Sequence, residues 1–218
     1  MIDVRMFTVS PVQENCFIVR VKDSNRAVIV DPGDEAERIL QAVQALGIET
    51  VEAILLTHTH FDHIGAVAPV AKATGAPVYC PELETRVLAN IMDYVPWPGF
   101  GPFESYDADH TVTGGETLEL AGLTIDVRFT PGHSPGHVTY SIRAENALFS
   151  GDVLFQGSVG RVDLPGGDWP TLLQSIESLI EEFPEETTVY PGHMGVTTLG
   201  RERATNPFLR ELSSPANQ

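Results

Sequence analysis

The chain has 218 residues, and 42% of them are hydrophobic, which is enough for one domain with a sizeable core. Thirteen basic side chains stand against 30 acidic ones, and the formal net charge of −17 disfavours a nucleic-acid backbone or an anionic membrane surface as partner. The sequence contains no run of 18 apolar residues and no basic leader after Met1. We therefore expect one cytoplasmic domain, residues 1–218, with no nucleic-acid or membrane partner.

The first part of the chain shows strand signals and then a helix signal. Two short runs rich in valine and isoleucine, 17–21 and 27–30, flank a polar turn, which predicts an antiparallel hairpin. Apolar residues at helical spacing then predict an amphipathic helix over 39–46, and Gly47 ends it.

A buried strand is predicted next, followed by a dense group of polar side chains. The continuous apolar run 51–56 ends abruptly at the segment 57–63, which is rich in histidine. A helix within 64–73 and a strand at 78–80 follow. Polar chemistry therefore lies where a buried strand ends, the usual place for a site in an α/β protein.

The middle of the chain, 95–109, is too rich in proline and glycine for a regular element and predicts a long loop. Its aromatic side chains either roof a site or pack on a sheet. Beyond the loop, strands are predicted at 117–120, 123–130, 138–142, 147–150 and 187–190, and a helix at 172–180. The economical architecture is two sheets with helices outside them.

Both cysteines, Cys16 and Cys80, lie in apolar contexts typical of strands. The sequence favours reduced core thiols at these positions over a disulfide or a metal thiolate.

The histidines carry most of the chemical information. His110 falls at the long loop and is assigned to surface or loop structure, whereas the other six follow apolar runs at strand ends or turns. Segment 58–63 holds three histidines and Asp62, whose desolvation is costly unless something compensates. Because strand residues at i and i+2 share a face and helix residues at i and i+3 nearly do, the segment suits two adjacent cations. Imidazole and carboxylate without thiolate suit zinc, iron or manganese.

The motifs resemble those of the metallo-β-lactamase superfamily, and they occur in the family's order. The run T-H-T-H-F-D-H-I-G at 57–65 resembles the family signature T-H-x-H-x-D-H. The companion motifs are P-G-H-S-P-G-H at 131–137, S-G-D at 150–152 and P-G-H at 191–193. Phe61 and the run G-S-V-G-R at 157–161 are similar to glyoxalase II, the hydroxyacylglutathione hydrolase, in a compact form.

The resemblance implies an α/β fold of four layers, αββα, in which two mixed sheets pack together with helices outside. It also implies two divalent metals per chain, zinc first among the candidates and iron or manganese as the others. The ligands implied for one metal are His58, His60 and His133, those for the other are Asp62, His63 and His193, and Asp152 bridges the two. The C-terminal helical domain of full-length glyoxalase II is expected to be absent, since few residues follow His193.

Two metals imply hydrolysis without a covalent intermediate. Water that bridges divalent ions becomes a hydroxide nucleophile near neutral pH, and the ions polarise the substrate carbonyl. The resemblance thus implies a hydrolase for an acyl thioester such as S-D-lactoylglutathione, with Asp62 and Asp152 in the catalytic centre. Alternatives are a persulfide dioxygenase with one iron, which generally has alanine in place of Phe61, and a lactone, β-lactam or other ester hydrolase. Charge disfavours an RNA-processing nuclease, and the full ligand set disfavours a non-catalytic protein.

Other residues have predicted roles around these ligands. Arg161 stands where glyoxalase II places a glutathione-contacting lysine, so it is a candidate anchor for a substrate carboxylate, the alternative being a salt bridge to Asp163 or Asp168. Asp163 replaces the family's tyrosine, which puts glutathione itself in doubt. Asp31 either orients a ligand histidine or forms a turn, and His137 is expected to be a supporting or core histidine.

Overall fold

The computed structural model describes residues 1–209, and the last residues of the predicted domain 1–218 lie outside the described part. The first part of the chain forms a six-stranded sheet, in which the strands lie side by side in chain order. Its strands are β1 (Ile2–Val9), β2 (Glu14–Val21), β3 (Arg26–Val30), β4 (Thr50–Leu55), β5 (Val78–Pro81) and β6 (His110–Val112). The predicted hairpin is β2–β3. Strand β1 was not predicted, because it is a sheet edge whose residues are mostly exposed or half-buried rather than a continuous apolar run.

Helices cover the outer face of the first sheet. They are α1 (Ala36–Ala45), α2 (Phe61–Ile64), α3 (Val67–Thr74) and α4 (Thr85–Leu88). Helix α1 corresponds to the predicted amphipathic helix, and its buried Ile39 joins the core with Val67 and Val70 of α3. The helix predicted over 64–73 is split at Gly65, where a Cβ atom would lie 2.4 Å from the carbonyl oxygen of Gly33.

The second sheet also has six strands, in the order β14-β13-β10-β9-β8-β7. They are β7 (Thr117–Leu120), β8 (Leu123–Phe129), β9 (Val138–Ile142), β10 (Ala147–Gly151), β13 (Thr188–Pro191) and β14 (Thr197–Thr198), and a hairpin of β11 (Leu154–Phe155) and β12 (Ser158–Val159) stands apart. Helices α5 (Trp169–Glu182) and α6 (Leu199–Thr205) pack on its outer face. The Asp168 carboxylate caps α5 by accepting a hydrogen bond from the Thr171 N–H at 3.0 Å.

The space between the sheets is filled by side chains from both. On β3, Val28 and Val30 point into this core, whereas Ala27 and Ile29 point to the helices. Because both faces of β3 are covered, the strand is apolar from Ala27 to Val30, as in the buried strands of α/β proteins. The predicted αββα sandwich of two mixed sheets is confirmed.

One edge of the sandwich gathers the ends of the strands that carry the predicted site. The N–H of Val138 donates to the carbonyl oxygen of Thr57 at 2.8 Å and links the two sheets there. The N–H of Gly192 donates to the carbonyl oxygen of Gly151 at 2.8 Å, and the N–H of Asn15 donates to that of Gly192 at 2.7 Å. These bonds bring four separate loops together.

Some positions differ from the sequence prediction or complete it. His110 does not lie in the loop but begins β6, where it is exposed and faces the Tyr79 ring. Residues 95–109 form no helix or strand, as predicted. Cys16 and Cys80 are buried and free. Within residues 1–209, no helix is both long enough and apolar enough to cross a membrane.

Candidate metal centre

The structure brings the seven predicted ligands together at the edge where these loops meet. Three histidines form what we call the first cluster: His58, His60 and His133. The Nδ1 atom of His60 and the Nε2 atom of His133 are 2.8 Å apart, and the ring centroid of His58 lies 4.8 Å from that of each partner. Two imidazole nitrogens this close, from opposite sheets, suit a shared cation.

A second cluster lies beside the first and consists of Asp62, His63 and His193. The Oδ2 atom of Asp62 is 3.3 Å from Nε2 of His193 and 3.9 Å from Nε2 of His63. Helix α2 carries Asp62 and His63, and the loop after β13 carries His193.

Asp152 lies between the two clusters. Its Oδ1 atom is 3.3 Å from Nε2 of His63, and its Oδ2 atom is 3.4 Å from Nε2 of His133 and 3.6 Å from Nε2 of His193. The carboxylate therefore reaches histidines of both clusters, which is the position required of a bridging ligand.

The second ring nitrogen of four histidines is held by the surrounding protein. The Nδ1–H of His133 donates to the carbonyl oxygen of Arg161 at 2.7 Å, and that of His193 donates to the carbonyl oxygen of Gln13 at 3.1 Å. Because a carbonyl can only accept, these rings are protonated at Nδ1 and, when neutral, present the Nε2 lone pair to the centre.

The same inference applies to His58 and His63 through side chains. The Thr57 hydroxyl donates to Oδ2 of Asp31 at 2.6 Å, so it accepts from Nδ1–H of His58 at 3.1 Å. Asp31 Oδ2 also lies 3.1 Å from Nδ1 of His63, and the Thr57 N–H donates to Oδ1 of Asp31 at 2.8 Å. Asp31 therefore orients a predicted ligand directly, one of the two roles that its sequence position suggested.

Unpaired buried atoms show that the residues fit a bound metal. The Nε2 atoms of His58 and His63 and the Oδ1 atom of Asp152 are buried and make no hydrogen bond within residues 1–209, although the last two lie 3.3 Å from each other. Such atoms are costly to bury without a partner, and they belong to three of the predicted ligands. The donor set of nitrogen and oxygen without sulfur suits zinc, iron or manganese.

The electrostatics of the centre favour a cation. Burial lowers the pKa of His60, and the neighbouring His133 lowers it further, to about 3, so the ring is neutral. Burial by itself would raise the pKa of Asp152, but His63 and His193 hold it below its ordinary value. Although burial lowers the pKa of His63, the carboxylates of Asp152 and Asp62 raise it well above its usual range. These carboxylates therefore attract positive charge, which a metal would supply.

Glycine in the motifs gives the chain room to approach the ligands. A Cβ atom at Gly192 would lie 2.3 Å from Oδ1 of Asp152 and 2.7 Å from Cε1 of His63. A Cβ atom at Gly160 would lie 1.8 Å from the carbonyl oxygen of Asp152. A larger residue at Gly192 would displace the Asp152 carboxylate, and one at Gly160 would displace the Asp152 backbone.

His137 belongs to neither cluster, as predicted. It is fully buried, its Nε2 accepts from the N–H of Asp152 at 3.1 Å, and its Nδ1 lies 3.1 Å from Oγ1 of Thr130. His137 therefore helps to position the backbone of the Asp152 loop through this hydrogen bond.

Two buried glutamates near the centre were missed by the sequence analysis. Neither carboxylate oxygen of Glu14 has a hydrogen-bond partner within residues 1–209, and burial raises the pKa of this group well above its ordinary value. Its Oε1 atom lies 3.8 Å from Nδ1 of His63. Glu84 accepts hydrogen bonds from Thr59 and Gly136. Glu14 could have been noticed in the sequence, because it is a charged residue at the start of the apolar strand β2. Glu84 precedes the short helix α4, and nothing in the local sequence marks it as buried.

Three exposed residues beside the centre form what we call the rim: Trp97, Arg161 and Asp163. Arg161 makes a bidentate ion pair with Asp163, with Nε to Oδ1 at 2.6 Å and a second nitrogen to Oδ2 at 2.7 Å. Its guanidinium carbon lies 5.9 Å from the ring centroid of Trp97, whose ring meets that of Phe61 at 5.9 Å. The ion-pair partner is thus Asp163, and Asp168 instead caps α5.

The loop 95–109 combines the two behaviours that its composition allowed. Phe100 and Phe103 pack against the core under the helices and meet the Phe61 ring, at centroid distances of 4.9 and 6.1 Å. Trp97 remains 41% exposed beside Arg161. One part of the loop is therefore anchored in the core, and another part borders the site.

Two packed sheets with helices outside, and a histidine and aspartate centre at one edge of them, define a class of metal-dependent hydrolases. The chain belongs to the metallo-beta-lactamase superfamily, whose family model matches residues 9–193. The family membership that the sequence motifs indicated is confirmed.

Individual proteins of known sequence or structure are similar over almost the whole chain. Hydroxyacylglutathione hydrolase GloC of Haemophilus influenzae is 32% identical, and the match covers 97% of this chain and 100% of that protein. The crystal structure of the BLEG-1 B3 metallo-beta-lactamase is 42% identical, with a TM-score of 0.89 and coverage of 95% of this chain and 99% of that one. The structure of TTHA1623 in a di-iron-bound form is 41% identical, with a TM-score of 0.75 and coverage of 94% and 100%.

Proposed function

We propose that the protein is a hydrolase with two metals that cleaves acyl thioesters of the S-D-lactoylglutathione type. The observation that carries the proposal is the position of Asp152, which reaches histidines of both clusters. The similarity to GloC supports the thioester class, and the di-iron form of TTHA1623 supports two metals.

The chain's own residues would divide the work in this reaction. The first cluster would hold one metal, the second cluster the other, and Asp152 would join them. When bound, two divalent ions would supply acidified water and a polarised substrate carbonyl. Asp62 and Asp152 would place negative charge beside both ions, and the backbone carbonyls of Arg161 and Gln13 would keep their histidines in the tautomer that binds metal.

Substrate recognition would fall to the rim. Arg161 carries the positive charge next to the centre, and Trp97 offers an exposed ring face beside it. In the free protein Asp163 occupies the Nε and Nη2 edge of the guanidinium, so an anionic substrate would bind through Nη1 or compete with Asp163 for that edge. Competition with Asp163 would therefore weaken the binding of an anionic thiol such as glutathione without preventing it.

A second candidate is hydrolysis of β-lactams, which the similarity to the BLEG-1 B3 metallo-beta-lactamase favours. Two metals held by these residues would polarise a lactam carbonyl as they would a thioester carbonyl. Only the substrate assay separates the two candidates.

The test combines metal analysis with a substrate panel. Protein loaded with Zn²⁺ or Fe²⁺ is assayed for bound metal and for kcat/KM on S-D-lactoylglutathione, a neutral acyl thioester, a chromogenic cephalosporin, a lactone and glutathione persulfide. We expect two metals per chain, loss of activity on chelation and the highest kcat/KM on a thioester. One metal per chain with sulfite formation from the persulfide would refute the proposal, and a preference for the cephalosporin would establish the second candidate.

A further inference from the structure

We propose that Glu84 is a positioning residue that locks together the two loops from which the first metal is bound. This inference rests on the proposed function, because it concerns the affinity of the first cluster. Glu84 ends a short 3-10 helix after β5, is 4% exposed, and lies outside all the motifs that predicted the site.

One carboxylate oxygen of Glu84 holds the loop of His58 and His60. Its Oε2 atom accepts from the N–H of Thr59 at 2.7 Å and from the hydroxyl of Thr59 at 2.9 Å. Thr59 stands between the two ligand histidines, so these bonds fix the peptide that joins them.

The other oxygen holds the loop of His133. The Oε1 atom accepts from the N–H of Gly136 at 2.9 Å and from the hydroxyl of Ser134 in a short contact. Ser134 follows His133 directly, and Gly136 lies in the same turn. One buried carboxylate therefore spans both loops of the first cluster.

The chemistry of the contacts requires a carboxylate at this position. All four groups that face Glu84 donate, and an ionised carboxylate only accepts. A glutamine of the same shape would turn an NH₂ group toward one backbone N–H and one hydroxyl. The hydroxyl can rotate and accept from it, but the buried N–H loses its acceptor.

The second glycine of the segment 131–137 supports the same view. A Cβ atom at Gly136 would lie 2.7 Å from Cγ and 3.1 Å from Oε1 of Glu84. Glycine at position 136 therefore leaves the space that the Glu84 side chain occupies, and a larger residue there would clash with it.

The effect should be confined to the first cluster. The second cluster is held by other groups: Asp31 faces His63, and Gln13 accepts from His193. Within residues 1–209, none of the hydrogen bonds of Glu84 reaches a residue of the second cluster.

The test measures Zn²⁺ binding by competition with a chromophoric chelator, together with the unfolding temperature of the metal-free protein. In Glu84→Gln we expect one of the two Zn²⁺ affinities to fall about 10- to 100-fold, as is common when a partner of a metal ligand is lost, while the other stays unchanged.

The matched control is Glu202→Gln. Glu202 is also a fully buried carboxylate, and it accepts from the N–H of Gly157 at 2.7 Å, Nδ2 of Asn206 at 2.9 Å and the Thr197 hydroxyl at 2.5 Å. This variant should lower the unfolding temperature and leave both Zn²⁺ affinities unchanged.

Other outcomes would overturn the inference. Glu84→Gln protein that keeps both affinities, or that loses both equally, shows that Glu84 only stabilises the fold. If Glu84→Gln does not fold, Ser134→Ala, which removes one of the four hydrogen bonds, is measured instead. A fall in only one of its two Zn²⁺ affinities supports the inference, and unchanged or equally lowered affinities overturn it. A wild-type protein that binds fewer than two Zn²⁺ refutes the proposed function instead, so the two failures are distinguishable.

Discussion

The metal centre and the rim lie side by side, yet the chain holds them very differently. His58, His63 and His133 are at most 1% exposed, and each has its second ring nitrogen held by another group. In the rim, the Arg161 side chain is 49% exposed and its partner Asp163 is 66% exposed.

This difference suggests that the metal centre determines the type of reaction and that the rim determines which substrates bind. A buried centre in which four of the five ligand histidines are held by other groups would need little reorganisation to bind a metal, which favours affinity and a constant reaction type. An exposed ion pair is worth little and rearranges readily, so it can exchange partners when a substrate binds. Changes in the centre should therefore affect all substrates, and changes at the rim should affect some of them.

The largest effect is expected from Asp152→Ala. Removal of the carboxylate between the clusters leaves two cations without their shared counter-charge, so the more weakly held metal should be lost and kcat/KM should fall about 1,000-fold for every substrate. Metal content by mass spectrometry and kinetics check this prediction. His110→Ala, at the exposed start of β6, is the control and should change neither quantity. Unaltered metal content in Asp152→Ala would show that the bridging assignment is wrong.

Gly192→Ala should affect the centre through the backbone. The new Cβ atom would meet Oδ1 of Asp152 at 2.3 Å, so the ligand must shift, with an expected cost of about 1–3 kcal/mol in stability. Zn²⁺ affinity should fall with it. At Gly195 the nearest atom is Oε1 of Gln156, 2.6 Å away, at the end of a flexible side chain that can move aside. Gly195→Ala should therefore be close to neutral, and equal losses in the two variants would contradict the prediction.

Arg161→Ala should discriminate between substrates. A charge-assisted hydrogen bond contributes about 1.5–3 kcal/mol, and the exposure of Arg161 places the effect at the lower end, about a tenfold loss in kcat/KM for anionic thioesters. The loss should appear mainly as a raised KM, while a neutral thioester keeps its rate. Equal slowing of both substrates would make Arg161 a structural support of the His133 loop.

The smallest effect is expected from Asp163→Asn. This change removes the negative charge that occupies the guanidinium, so activity on anionic thioesters should rise about two- to fivefold, with no change for neutral ones. Added salt should weaken the difference between wild type and variant, because the pair is exposed. A lower rate on anionic substrates would mean that Asp163 orients Arg161 for binding rather than competing with the substrate.

Much of the fold could be predicted because its strands are short apolar runs bounded by turns. Strand β4 and helix α1 follow directly from such patterns. Strand β1 could not be predicted in this way, because it is stabilised by pairing with β2 and by the contact of Asp3 with Arg20 rather than by burial of a continuous apolar face. The split between α2 and α3 depends on the close approach of Gly33 and Gly65, which no local pattern records.

For the site, segment 57–65 could be recognised from the sequence, because metal ligation uses a few residue types at close spacing. The ligands His133, Asp152 and His193 were implied by the resemblance of three further motifs to the metallo-β-lactamase superfamily. The groups that hold these ligands in place could be identified only from the fold. Glu84 is 50 residues from Ser134 in the chain, and Asp31 is 32 residues from His63, so neither pairing has a sequence signature. The choice of Asp163 as partner of Arg161 was likewise settled in space, since Asp168 was already capping α5. Local spacing predicts what a short segment can bind, whereas contacts between distant segments exist only once the two sheets have packed together.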